Sequence, residues 1–282
     1  MSGFTKSMAY PWALTGIFGA FHLILTFIPF SILGMGGGAL TWGMISAGIV
    51  GFLLGPFFGT IAVLAGSLIG TGVFNLGGIL GPVVPVLAPT AGAFAAGALR
   101  TGKIKELFLV FIIAVLLYFI SPIGALAFTT IELGPFEIPI SFVWLHLVTL
   151  VIIAFLLIPR LANILSDAVS FEKKREIKVM PIAVFLFSFI SLMTDHIVGN
   201  TASVFYLHYI ALFDVPTLVG WWVPITFVYP VERLLATVIL AAIVMAAGEA
   251  IVQTGFDLPV SPWESREQFE LTPEEVEQIE SQ

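Results

Sequence analysis

The stretch Gly51-Phe-Leu-Leu-Gly55-Pro56-Phe-Phe-Gly59-Thr-Ile-Ala-Val-Leu-Ala-Gly66-Ser-Leu-Ile-Gly70 carries no ionisable side chain and contains one glycine-proline step. Pro56 has no N–H to give to a helix, and its ring disfavours helical backbone at Gly55, so a helix entering from residue 51 cannot run straight on. The reading is two apolar helices folded into a tight hairpin. Glycines at 51, 55 and 59, then at 66 and 70, supply the smooth backbone that helices need to pack closely in lipid, where no hydrophobic effect drives them together.

Composition extends this reading to the whole chain. Of 282 residues, 59% are hydrophobic and 10% are charged, and the mean hydropathy is +1.07. A water-soluble domain draws roughly a quarter of its residues from Asp, Glu, Lys and Arg. The expected fold is therefore an all-α, polytopic integral membrane helical bundle. Cysteine is absent, which excludes disulfide frameworks, thiolate metal sites and cysteine nucleophiles together. Much of the net charge of -7 comes from one end: between Asp257 and Gln282 eight acids accompany the single base Arg266. Nucleic acid is not an expected partner.

A helix crossing the hydrocarbon core needs about 20 apolar residues. About eight windows meet or approach that length: Pro11–Phe30, Gly38–Leu54, Pro56–Phe74, Pro82–Leu99, Leu107–Ala125, Ile140–Ile158, Met180–Val198 and Val231–Val252. Residues 1–253 then form a transmembrane helical domain and residues 254–282 an acidic cytoplasmic tail, in which Thr272 suits a helix N-cap. Basic residues accumulate on the cytoplasmic side of short loops. Lys6, Arg100, Lys103, Lys105, Arg160, Lys173, Lys174, Arg175, Lys178 and Arg266 fall on one side of an eight-helix count. Both termini are thus expected in the cytoplasm, with the chain in the cell membrane. Arg233 is the exception, assigned to the outer side. Pro11 stands too far from a short charged leader and cleavage site to fit a removable signal peptide, so span one is read as retained. Segments 203–213 and 221–229, broken by Asp214, Pro216 and Gly220, read as an outer cap or lid, with Trp221 and Trp222 at headgroup level.

Span one has two faces. Ala9, Ala13, Gly16 and Ala20 form a small face, and Thr15, His22 and Thr26 lie roughly 200° away on a 3.6-residue helix. A small stripe is a routine packing seam, and it is also the kind of face on which another membrane protein docks. Span four packs through Ala88, Gly92 and Ala96. Just beyond it, Gly97-Ala-Leu-Arg-Thr-Gly102-Lys103-Ile104 approaches a phosphate loop. Ile104 stands where the magnesium-binding hydroxyl belongs and an apolar helix replaces the preceding strand, so the chain has no nucleotide-hydrolysing site of its own.

Ionisable side chains at membrane depth call for a function or a buried partner. Span seven carries Ser188, Ser191 and Asp195 at spacings three and four, followed by His196, Asn200 and Thr201. Span eight opens Tyr229-Pro230-Val231-Glu232-Arg233, with Pro230 in the first helical turn. Glu232 and Arg233 are adjacent and point about 100° apart, so Arg233 needs another anion: Asp195, or a ligand carboxylate or phosphate held in the guanidinium fork. The alternative is an arginine reaching out to the headgroups. His22 and His146 read as hydrogen-bonded packing. His196 and His208 lie with Asp195 on the outer side, but their spacing matches no zinc signature, and no metal or other cofactor is expected. Tyr206, His208 and Tyr209 are candidates to stack on a ring-bearing ligand.

The 51–70 stretch, with Pro85-Val-Leu-Ala-Pro89 and Ala91-Gly-Ala-Phe-Ala-Ala-Gly97, resembles the substrate-binding S components of energy-coupling-factor transporters. A Gly-Pro turn opening a glycine-rich helix, the small stripe Ala9, Ala13, Gly16 and Ala20, and a last helix entered through Pro230 with Glu232 near its end carry the likeness. The family has six helices and fewer than 220 residues, so 121–178 stands as an insertion. The resemblance implies a binder for a vitamin or similar small polar micronutrient, docked through the span-one stripe on a scaffold transmembrane subunit that works with two ATPase subunits. The expected seat comprises Asp195, His196, Asn200, Glu232 and Arg233 as polar contacts and Tyr206, Trp221, Trp222 and Tyr229 as stacking or lid residues. No motif for an enzyme is present. A self-sufficient proton-coupled transporter using Asp195 and His196, and an accessory subunit that packs against partners, are the competing readings.

Overall fold

A computed structural model describes residues 9–30, 41–133, 135–169 and 180–254. The helices are α1 (Ala9–Thr26), α2 (Gly43–Phe74), α3 (Val84–Arg100), α4 (Ile104–Phe119), α5 (Trp144–Leu156), α6 (Pro159–Ala168), α7 (Met180–Phe205) and α8 (Val215–Thr254). Two antiparallel strands, β1 (Ala127–Leu133) and β2 (Phe136–Ser141), stand between α4 and α5, with Leu133 opposite Phe136 at the turn. This hairpin was not anticipated. The acidic tail with Thr272 and Arg266, and the bases Lys6, Lys173, Lys174, Arg175 and Lys178, lie outside the described residues.

Gly55 adopts φ 78° and ψ 179° within α2, a conformation that glycine alone takes without strain. The chain reverses there. In an unbroken helix Ser46 and Ser67 would stand about 31 Å apart at 1.5 Å per residue. Both hydroxyls instead meet one imidazole, His22 Nδ1 at 2.7 Å from Ser46 Oγ and Nε2 at 2.9 Å from Ser67 Oγ. Gly51 and Gly59 also face each other across the turn, so that a Cβ on Gly59 would stand 2.7 Å from Gly51 Cα. Residues 43–54 and 56–74 are therefore antiparallel limbs, the hairpin expected from Gly55-Pro56.

Missing side chains let the neighbours close in. A Cβ at Gly51 would overlap the Ala93 carbonyl of α3, and one at Gly97 would overlap the Gly55-Pro56 peptide. On α1, Gly19 lies against the Ala62 carbonyl of the second limb, and Thr15 and His22 turn inward, while Ala9, Ala13, Gly16 and Ala20 are all exposed. The two expected faces of α1 are thus sorted: polar inside, small outside.

The second half of the chain departs from expectation. The window 140–158 becomes a short α5 that bends by 98° into α6. Pro159 opens α6 and holds Ile158 in extended backbone, ψ 113°, which stops α5 before it can cross. The outer cap or lid expected over 203–229 is helical instead. α7 runs on through a π-helical turn at Tyr206–Ile210, and α8 begins at Val215 and continues for 40 residues with Pro224 and Pro230 inside it. Pro230 is an interior residue rather than a helix start. Prolines persist inside membrane helices because side-chain hydroxyls and neighbouring helices take over the freed backbone groups. The tight connection is made by Leu212 at φ 60° and by Asp214, whose Oδ1 accepts the Thr217 N–H at 2.8 Å at the head of α8. Hydrogen bonding from the Thr217 side chain, and then from its backbone N–H, holds the Asp214 carboxyl below its ordinary range.

Four described helices are long and apolar enough to cross a membrane, or five if the bent α5–α6 pair counts as one. The described helices do not carry the expected count of about eight, since α3 and α4 have only 17 and 16 residues. Ile17, Ile24, Val151, Phe155, Phe227 and Val238 are exposed, whereas His22, His146, Asp195, Glu232 and Arg233 are buried. Apolar outside and polar inside is the inverse of a soluble globule and matches a lipid surround. The chain is a helical membrane protein.

Because the α2–α3 seam depends on absent Cβ atoms, Gly51→Ala and Gly97→Ala are expected to lower the melting temperature of the detergent-solubilised protein sharply. Gly72→Ala, where nothing lies within 4 Å of the added methyl, should leave it unchanged or raised. Equal behaviour of the three would show that the seam is looser than described.

Candidate functional site

Asp195 stands fifteen residues from each end of Met180–Ile210, and Arg233 eighteen from each end of Val215–Ile251. Neither is near a helix end, contrary to the reading that put Arg233 at the outer surface; the extra helix on either side accounts for the difference. Arg233 Nη1 lies 3.7 Å from Asp195 Oδ1, with both side chains buried. Its one described hydrogen bond goes to the Met44 sulfur, at 2.9 Å, and Nε has no partner among the described residues. A thioether is a weak acceptor, so the guanidinium is held largely by charge. Asp195 in turn fits against Gly92, the middle residue of α3, where a Cβ would stand 3.1 Å from Asp195 Cβ. Ser191, one turn earlier, donates to the Gly92 carbonyl at 2.9 Å.

Beside the ion pair is a stack of rings. His146 Nε2 lies 3.0 Å from His196 Nδ1, and the two imidazoles are stacked with centroids 5.0 Å apart. Tyr229 lies 4.6 Å from His196 and 5.5 Å from His146, and its hydroxyl donates to the Phe142 carbonyl at 2.9 Å. Phe142 is central: its ring centroid lies 4.9 Å from Tyr229, 5.7 Å from His196, 5.8 Å from Tyr118, 6.0 Å from His146 and 6.4 Å from Trp222. α4, α5, α7 and α8 each contribute at least one of these rings.

Of the residues expected at the site, the fold gathers Asp195, His196, Tyr229 and Arg233, with Trp222 at the edge and Glu232 buried next to Arg233. The others make different contacts. Asn200 Nδ2 donates to the His196 carbonyl one turn back at 2.8 Å. Tyr206 covers Gly81 in the turn before α3, and Trp221 faces outward against Phe213, 5.0 Å between centroids. Adjacent positions on a helix diverge by about 100°, so Trp221 and Trp222 cannot share a face. Among the described residues no three metal-ligating side chains come together; His208 Nδ1 is within 2.9 Å of the Phe213 carbonyl. Sequence reasoning missed Tyr118, Phe142 and Met44 and set His146 aside as packing. A histidine inside an apolar span was the one available signal.

The chain is 27% identical over 232 residues to an uncharacterized protein of Methanocaldococcus jannaschii, an alignment that covers 80% of this chain and 66% of that protein. No family model and no solved structure matches the chain.

Removing one member of a buried ion pair strands the other charge, at roughly 3–5 kcal/mol, whereas replacing both with apolar residues of like volume is often neutral. Asp195→Leu or Arg233→Met alone should therefore destabilise the protein by about that amount, and the double variant Asp195→Leu/Arg233→Met should recover most of the loss. Thermal unfolding in detergent measures all three; a double variant as unstable as the sum of the singles would exclude a coupled pair.

Proposed function

We propose that the protein is a membrane-embedded uptake component that seats a small polar solute at the cluster formed by Asp195, His196, Tyr229, Trp222, Glu232 and Arg233. One observation carries the reading: an ion pair with an incompletely bonded guanidinium, buried at the middle of two long apolar helices. Ionisable groups at membrane depth are expensive and are kept where a substrate or ion passes. Aromatic surface with a few directional polar groups is what small-molecule sites generally use.

Within this proposal the solute is a vitamin or comparable micronutrient, and the chain sits in the cell membrane. Movement is powered by two ATPase subunits through a scaffold transmembrane subunit. The exposed line Ala9, Ala13, Gly16 and Ala20 supports a docked helix, since nothing lies within 4 Å of a Cβ at Gly16.

A second reading has its own support. Transporters that need no ATPase bind substrate and coupling ion near the midplane, and the mid-span position of Asp195 with the His146–His196 contact fits a proton-coupled carrier.

Wild-type protein and the Asp195→Leu/Arg233→Met variant, each purified in mild detergent and heated to release small molecules, should differ by a compound present only in the former. Identical mass spectra from two folded samples would remove the seat. Reconstituted vesicles then separate the readings: uptake of that compound driven by a proton gradient without ATPase favours the self-sufficient carrier.

A further inference from the structure

The ring cluster contains a mismatch that the ion pair does not explain. Phe142 is fully buried at its centre and is supplied by the turn between β2 and α5, whereas the five rings around it stand on helices. Three of those five carry a buried polar atom with no hydrogen-bond partner among the described residues: Tyr118 Oη, Trp222 Nε1 and His146 Nδ1. The first two are donors whatever the conditions, and the third gives or accepts according to tautomer. Buried polar side-chain atoms are normally bonded, and each exception needs a reason. All three rings have their centroids within 6.4 Å of the Phe142 centroid, and that hydrocarbon ring has no acceptor to offer.

From this we infer that the Phe142 ring keeps the place of a neutral, flat molecule bearing carbonyl or ring-nitrogen acceptors, which enters among Tyr118, His146, His196, Trp222 and Tyr229 when Phe142 withdraws. This rests on the solute seat proposed above and names the chemical class of its ligand. Neutrality follows from charge. Arg233 already faces Asp195, and Glu232 is buried beside it, so an incoming carboxylate or phosphate would meet like charge in a setting of low dielectric. A ring similar in thickness to the phenyl group it replaces keeps the stack and supplies the missing acceptors. Such a ring reaches the site either from the bilayer, as the head of a lipid-soluble quinone, or from water, as a heterocycle.

The test uses three probes on one bicyclic frame: 1,4-naphthoquinone, 1-naphthoate and naphthalene, each equilibrated by dialysis with the full chain in detergent against empty micelles. The chain has no cysteine to react with the quinone. Naphthoquinone should bind at least about tenfold more tightly than the other two, and Tyr118→Phe and Trp222→Phe should each weaken it by about tenfold, the worth of one hydrogen bond. Tyr118→Phe should melt at or above the wild-type temperature, because it removes an unbonded buried polar atom and leaves the ring in place. Tighter binding of naphthoate, or affinity unchanged in both variants, overturns the inference while leaving the seat to its own co-purification test. A neutral carbonyl-bearing ring in the organic or the aqueous extract of purified protein supports it and identifies the source; an anionic compound overturns it.

Discussion

The contact between Asp195 and Arg233 sets the terms on which the helices meet. A lone charge at the centre of a membrane helix is unfavourable by roughly 2.5–3.5 kcal/mol on insertion scales, so each residue binds its own helix to the other's midpoint. α7 and α8 are thereby fixed in register. α3 follows, since a side chain at Gly92, the middle of that helix, would crowd Asp195. The first limb of α2 follows too, through the Met44 sulfur on the guanidinium. Four segments distant in sequence are positioned by one pair of charges.

The glycine seam does complementary work among α1, α2 and α3. Helices surrounded by lipid gain little from burying more hydrocarbon, so attraction has to come from close approach and from polar contacts between helices. The α2 turn at Gly55 brings Ser46 and Ser67 to a single imidazole, and His22 ties α1 to both limbs at once. Replacing that histidine by any apolar residue would take from Ser67 its described hydrogen-bond partner and leave Ser46 with its bond to the Gly43 carbonyl. The exposed small face of α1 lies outside this arrangement and contributes nothing to it.

How far these features were legible depends on whether they are local. Gly55-Pro56 is a neighbouring pair whose backbone preferences force a turn, and the hairpin was readable from it alone. The sorting of α1 into polar and small faces needed only helical period. By contrast, Arg233 was placed at a helix end because Pro230 was taken as a start, a rule drawn from water, where a freed carbonyl and a missing donor end a helix. Inside a bilayer the alternative to continuing is exposing backbone to lipid, which is worse. Asp195 was named, beside a ligand carboxylate or phosphate, because the neighbouring Glu232 points away from Arg233 and the guanidinium needs another anion. Phe142 and Tyr118 were beyond reach: their meeting with His196 and Tyr229 depends on which helices adjoin, and a single sequence without related chains does not specify that.

The prolines then acquire a mechanical meaning. Pro224 and Pro230 deny the carbonyls of Gly220 and Thr226 their helical donors, while Thr226 turns its own hydroxyl to the Trp222 carbonyl at 2.9 Å. The part of α8 before Arg233 is consequently held by fewer backbone bonds than the part after it, and helices bend where such bonds are missing. Trp222 and Tyr229 ride on the weaker part; His196 rides on unbroken α7 and Arg233 lies past the last proline. A bend there separates the rings without breaking the ion pair. In the carrier proposed above, that arrangement would divide labour: charges at the midpoint would hold the bundle together while the aromatic wall opened.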